Sequence, residues 1–219
     1  MNTFIEKPAN INSLSKRKPI YGVGINDAWY VVQPIINGKK AWCLYYNTWK
    51  HMIKRCCCDK YQEKYPTYIG CSVVKDWLTF SVFRSWMEQQ GWQGKQLDKD
   101  ILVPVNKEYG PNTCIFVSGS INNLLTDSAA SRGDCPQGVS FNKQSGKYQS
   151  ECRVNGKSKY LGRFPTAQEA AYAYLSFKSG LIRQIAYEDE ASNFPKLQSA
   201  LLRHAELFAK KARNLKDLL

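Results

Sequence analysis

Apolar residues recur along the chain with two periods, and each marks a different kind of element. From Asn47 to Cys58, Trp49, Met52, Ile53 and Cys56 fall at i, i+3, i+4 and i+7, the stripe of an amphipathic helix; Phe80 to Trp92 repeats it with Phe83, Trp86 and Met87. From Gly138 to Phe164 the period is two: "GVSFN", "GKYQSECRV" and "SKYLGRF" predict three strands, joined by "KQSG" and then by "NGK". An earlier pair, "AWYVVQPIING" and "KKAWCLYY", flanks another Asn-Gly and predicts a hairpin. After the third strand, Thr166 and Glu169 form a capping box, and Ala167, Ala170, Ala171, Tyr174, Phe177 and Lys178 trace one helix face, with Gly180 as the predicted stop. The last segment, Pro195 to Leu219, spaces Leu197, Leu201, Ala205, Phe208, Ala212, Leu215 and Leu219 by fours and threes, a long helix with one apolar seam. Such a seam packs on its own domain, or else serves self-association or a host-protein contact.

Side chains alternate across a strand, so the three strands present two unlike faces. Val139, Phe141, Tyr148, Ser150, Cys152 and Leu161 fall on one; Ser140, Asn142, Gln149, Glu151, Arg153, Ser158 and Tyr160 fall on the other. One helix covers one face of a small sheet, and its alanine stripe allows a close approach, which leaves the second face open.

Charge gives that open face a meaning. The chain carries a formal net charge of +13 and a pI near 9.4, which selects polyanionic partners, nucleic acid first and an anionic membrane surface second. On or around the open face gather Lys143, Lys147, Arg153, Lys157, Lys159 and Arg163, with Glu151 the only acid between Gly138 and Phe164. An antiparallel ribbon fits the DNA major groove, where Arg reads guanine and a carboxylate accepts from cytosine, while loop lysines hold phosphates.

The rest of the sequence sets boundaries. "LLTDSAASRGDCPQG" loses apolar period after its leucines, so the expected organisation is a solvated tail at 1–18, a first domain at 19–125, a linker at 126–136, a DNA-binding domain at 137–186 and a helical extension at 187–219. No apolar run reaches the ~20 residues of a spanning helix and the first residues lack a signal-peptide core, so a soluble cytoplasmic chain without membrane contact is expected. The 8 cysteines are then expected as reduced thiols; no CxxC pair exists, and His51 and His204 are the only histidines, so the pattern gives a zinc site little support.

The unit "GVSFNKQSGKYQSECRVNGKSKYLGRFPTAQEAAYAYLSFK" resembles the AP2 DNA-binding domain, in particular the versions carried by phage homing endonucleases. The resemblance implies that the exposed sheet face enters the major groove of double-stranded DNA. It carries the contact positions over to Gln137, Ser140, Asn142, Ser145, Glu151, Arg153, Ser158 and Tyr160; Ser140, Asn142, Ser145 and Ser158 stand where plant members often have Arg or Trp.

Ahead of it, "NTWKHMIKRCC", "YIGCSVVKDWLTFSVFRSWM" and "LDKDILVPVNKEYGPNTCIFVSGSINNLL" are similar in order and spacing to the phage HNH endonuclease pattern. That similarity implies an α+β chain in which "QLDKDILVPV" and "CIFVSG" are strands and "SINNLL" opens a helix, a ββα module with flanking helices ahead of the three-stranded sheet, its helix and the long C-terminal helix. It further implies a catalytic set of Asp98, Asp100 and Asn122 (or Asn123), with Asp100 and Asn122 as oxygen ligands to Mg²⁺ if the module is active. The general-base histidine of the family is missing, Asp98-Lys99-Asp100-Ile101 standing in its place, so the expected function is DNA binding with an impaired nuclease module. The rivals are an active Mg²⁺-dependent nicking enzyme and an interaction protein that targets a host factor.

Overall fold

In this computed structural model, which describes residues 4–36, 38–127 and 133–219, the chain is mixed α+β and divides into two units, Met1–Asp100 with Val105–Val117, and Ile101–Pro104 with Ser118–Leu219. The first begins with α1 (Ile11–Ser15), capped by Asn10, whose side-chain oxygen accepts from the Ser13 N–H at 2.7 Å. There follow the antiparallel pair β1 (Ile35–Ile36) and β2 (Lys39–Lys40), then α2 (Leu44–Cys57), α3 (Asp59–Lys64), β3 (Ser72–Val73), α4 (Phe80–Glu88), β4 (Gln96–Asp98), β5 (Glu108–Tyr109) and β6 (Ile115–Val117). β3 pairs parallel with β5, and β4 pairs antiparallel with β6. Asn37, of the first Asn-Gly, lies outside the described residues.

The two helical stripes meet. Trp49, Met52 and Ile53 of α2 are buried with Phe80, Phe83 and Met87 of α4, and the Trp49 indole N–H donates to the Trp77 carbonyl at 2.7 Å. Each such side chain contributes about 1.5–3 kcal/mol on burial, so this aromatic cluster holds the short elements together. Two expectations need correcting. The tail is tied down: the Arg17 guanidinium donates to the carbonyls of Asn26 at 3.0 Å, Tyr30 at 2.9 Å and Ala28, and the Val31 N–H donates to the Lys7 carbonyl. The strand expected over "QLDKDILVPV" stops at Asp98, because the Asp98 carboxylate accepts the Asp100 backbone N–H at 2.7 Å and turns the chain.

The second unit holds Ile101–Pro104, with the Leu102 carbonyl accepting from Arg203 at 2.9 Å and the Ile101 carbonyl 3.0 Å from His204 Nε2. Its elements are α5 (Gly119–Leu125), β7 (Val139–Asn142), β8 (Lys147–Val154), β9 (Lys157–Phe164), α6 (Ala167–Ile185), α7 (Asp189–Ser192) and α8 (Pro195–Lys216). The division falls after Val117, ahead of the expected linker at 126–136, of which residues 128–132 lie outside those described.

β7, β8 and β9 form an antiparallel sheet in sequence order, and α6 packs Ala170 and Ala171 beneath Val139, with Tyr148 and Phe164 beside them. Gly138 makes the fit possible: its φ is +74°, and a Cβ there would meet the Tyr174 ring at 2.0 Å. The capping box of Thr166 and Glu169 is present at the start of α6. Gly180 does not end the helix, which runs on to Ile185 because Leu181 and Ile182 are buried and Ser179 Oγ donates to the Ala205 carbonyl of α8. Of the α8 seam, Leu197, Leu201, Ala205 and Ala212 are buried, Phe208 and Leu215 are half-buried, and Leu219 is exposed. Among the described residues no helix is long and apolar enough to cross a membrane.

Candidate functional site

The β8–β9 hairpin closes on Asn155 (φ +49°) and Gly156 (φ +78°), two consecutive left-handed residues as a two-residue turn demands, and Val154 pairs with Lys157. From there Arg153 stands opposite Ser158 and Glu151 opposite Tyr160; beyond them the register shifts, Leu161 is passed over, and Ser150 faces Gly162. Leu161 is the extra residue of a bulge that inverts the alternation of β9, and Gly162 beside it has φ +140°, a conformation other residues rarely adopt.

The inversion brings Arg163 to the open face. Directly paired residues share a face, so Arg163 joins Gln149 and Ser140 beside Tyr160, Glu151, Arg153 and Ser158, while Phe164 turns under with Tyr148. Lys159, expected near the open face, pairs with Cys152 and lies on the helix side, its ammonium 4.7 Å from the Phe177 ring centroid. Lys157, opposite Val154, follows the same side at the hairpin end.

The open face is solvent-exposed and internally ordered. Tyr160 is 54 % exposed, and Arg153 and Arg163 are exposed and make no ion pair among the described residues. Between them the Glu151 carboxylate accepts from the Ser158 hydroxyl and from the Gln149 side-chain amide. These two bonds, the serine's first, hold the Glu151 carboxyl below its ordinary range, so it stays an acceptor throughout neutral pH. Gln149 was missed as a site residue, although its alternation with Tyr148 was signal enough.

Two expected contact residues have local structural work. Asn142 Oδ1 accepts from the backbone N–H of Gln144 at 3.1 Å and of Ser145 at 3.0 Å, shaping the turn that carries Lys143. The Gln137 side chain donates to the Thr126 carbonyl at 3.4 Å. Ser140 remains exposed at the β7 edge of the face.

The expected nuclease residues are placed differently. Asp98 caps the turn after β4, and the Asp100 carboxylate is engaged by the buried Lys99 ammonium, which also donates to the Asn106 carbonyl at 2.7 Å. Asn122 lies on α5, in the second unit, whereas Asp98 and Asp100 belong to the first. A lysine ammonium against Asp100 does not fit a divalent ion on that carboxylate, and among the described residues no group of three or more His, Cys, Asp or Glu side chains is placed to hold a metal. His51 is exposed on α2, where partial burial and then Arg55, Lys54 and Lys50 hold its pKa down. The 8 cysteines form no disulfide, and burial pushes the Cys56 and Cys114 thiols up to about 12.

No family model, curated protein or solved structure matches the chain.

Proposed function

We propose that the chain is a DNA-binding protein of the AP2 type found in phage mobile endonucleases, which docks the open face of β7–β8–β9 in the major groove of duplex DNA. The observation that carries this reading is the juxtaposition the bulge creates: Arg153, Arg163 and Tyr160 surround the Gln149–Glu151–Ser158 relay on one exposed face, while α6 covers the other. Two arginines without carboxylate partners suit guanine O6 and N7, and an ionised Glu151 with lone pairs to spare suits cytosine N4. Each good bidentate contact contributes about 1–3 kcal/mol of discrimination. Lys143 and Lys147, at the β7–β8 turn, supply phosphate contacts that set register.

The test is a mobility-shift series at several salt concentrations. Arg153→Ala and Tyr160→Ala lower affinity in this reading, and binding weakens steeply with salt because phosphate neutralisation releases counterions. Unchanged affinity in both variants sinks it.

Within the same reading the first unit is an HNH-like module that no longer hydrolyses. Its antiparallel β4–β6 pair supports the strand part of the likeness, while the assignment of α5 to the second unit, the Lys99–Asp100 pair and the absent histidine argue against cleavage. Incubation of supercoiled DNA with Mg²⁺ leaves it intact on this account; nicking that disappears in Asp100→Ala establishes the enzyme instead.

A further inference from the structure

The first unit holds an arginine whose charge is not compensated. Arg55, near the end of α2, is half-buried, places its guanidinium carbon 5.4 Å from the Tyr68 ring centroid, and donates one long hydrogen bond, 3.5 Å to the Tyr109 hydroxyl. A guanidinium has five N–H donors, and Arg55 makes no ion pair among the described residues. Other arginines of this unit are satisfied: Arg84 meets Glu6 and Glu88 at 2.7 Å each, and Arg17 is wrapped by three carbonyls.

Its surroundings are built to hold it there. The Gln62 side chain donates to the carbonyls of Arg55 at 3.0 Å, Cys56 at 2.9 Å and Tyr68 at 3.3 Å, locking α2 to the segment that carries the tyrosine. The Lys107 ammonium donates to the Thr67 and Ile69 carbonyls on either side of Tyr68. Tyr61 lies 5.8 Å from Tyr68, with the Lys54 ammonium 4.7 Å from the Tyr61 ring centroid. A planar, forked donor held over an aromatic ring beside a second cation can bond two oxygens of a phosphate at once, and aromatic rings interleaved with cations recur on nucleic-acid-binding surfaces.

We infer that Arg55, positioned by Tyr68 and supported by Lys54, is a second anion-binding site that grips a backbone phosphate of nucleic acid, independently of the open sheet face. It rests on the reading of the chain as a DNA binder only for the identity of the polymer. It also gives the first unit a task other than hydrolysis.

The experiment measures the affinity of the full chain for duplex DNA over a salt series, with inorganic phosphate titrated alone as a second arm. Arg55→Met, which retains the alkyl stem over Tyr68, is expected to weaken binding several-fold for every sequence and to lower the salt slope by about 1, the loss of one phosphate contact. Arg55→Lys keeps the charge and is expected to keep most of the slope. A slope that Arg55→Met leaves unchanged overturns the inference, including the case in which inorganic phosphate binds at Arg55, since the site is then one for free phosphate. Arg153→Ala run in parallel separates the two sites: if it alone loses affinity, the Arg55 grip fails and the sheet reading stands, and if Arg55→Met alone acts, the grip stands and the sheet reading fails.

Discussion

At the scale of single residues, Glu151 is the most informative position on the open face. As the only acid between Gly138 and Phe164, it costs general attraction to phosphate, and its bonds from Ser158 and Gln149 aim it outward as an acceptor. Glu151→Gln is therefore expected to raise affinity for random duplexes by several-fold while flattening preference at one base pair, checked by competition between single-position variants of a selected site. Gly138 makes the opposite kind of prediction. A Cβ there would overlap the Tyr174 ring while the backbone holds φ +74°, so Gly138→Ala is expected to destabilise by about 2–4 kcal/mol, read as a lowered denaturant midpoint. Alternation made the placement of Glu151, Arg153, Ser158 and Tyr160 on one sheet face legible in the sequence. The commitment of Asn142 to its own turn was not, because an asparagine beside a turn reads equally well as a base contact and as a local acceptor.

At the scale of elements, the bulge on β9 separates what periodicity reveals from what it hides. Period-two patterning located all three strands and their Asn-Gly turn, since one buried face constrains every other residue. A one-residue slip within β9 is invisible to that pattern and brings Arg163 to the open face, whereas Lys159, between Ser158 and Tyr160, follows plain alternation to the helix side; the only hint of the slip was a glycine inside a strand. Helices were legible where apolar stripes were long, in α2, α6 and α8, but Gly180 misled because tertiary packing of Leu181 and Ile182 outweighs an intrinsic cost of about 1 kcal/mol. Beneath the sheet, Ser150 is fully buried and its hydroxyl finds no hydrogen-bond partner among the described residues. Leaving a buried hydroxyl unpaired costs about 1–3 kcal/mol, so Ser150→Ala is expected to raise the melting temperature by a few degrees without altering the open face. A lowered melting temperature would mean that the hydroxyl is bonded.

At the scale of the molecule, a net charge of +13 is larger than the sheet face accounts for, and part of the remainder is organised in the first unit around Arg55. Composition points to a polyanionic partner but not to where the charge is left uncompensated, since that depends on which arginines find carbonyls or carboxylates in the fold. Arg17 and Arg84 find them, whereas Arg55, Arg153 and Arg163 make no ion pair among the described residues. The central claim is that DNA meets the face carrying Arg153 and Arg163, and Lys159, a cation on the helix side of the same sheet, supplies an internal control. The decisive measurement is the affinity of the full chain for duplex DNA at fixed salt, compared among Arg153→Ala, Arg163→Ala and Lys159→Ala. The account predicts losses of about tenfold, or 1.4 kcal/mol, for each arginine and less than about twofold for Lys159; equal losses for all three variants, or none, contradict it.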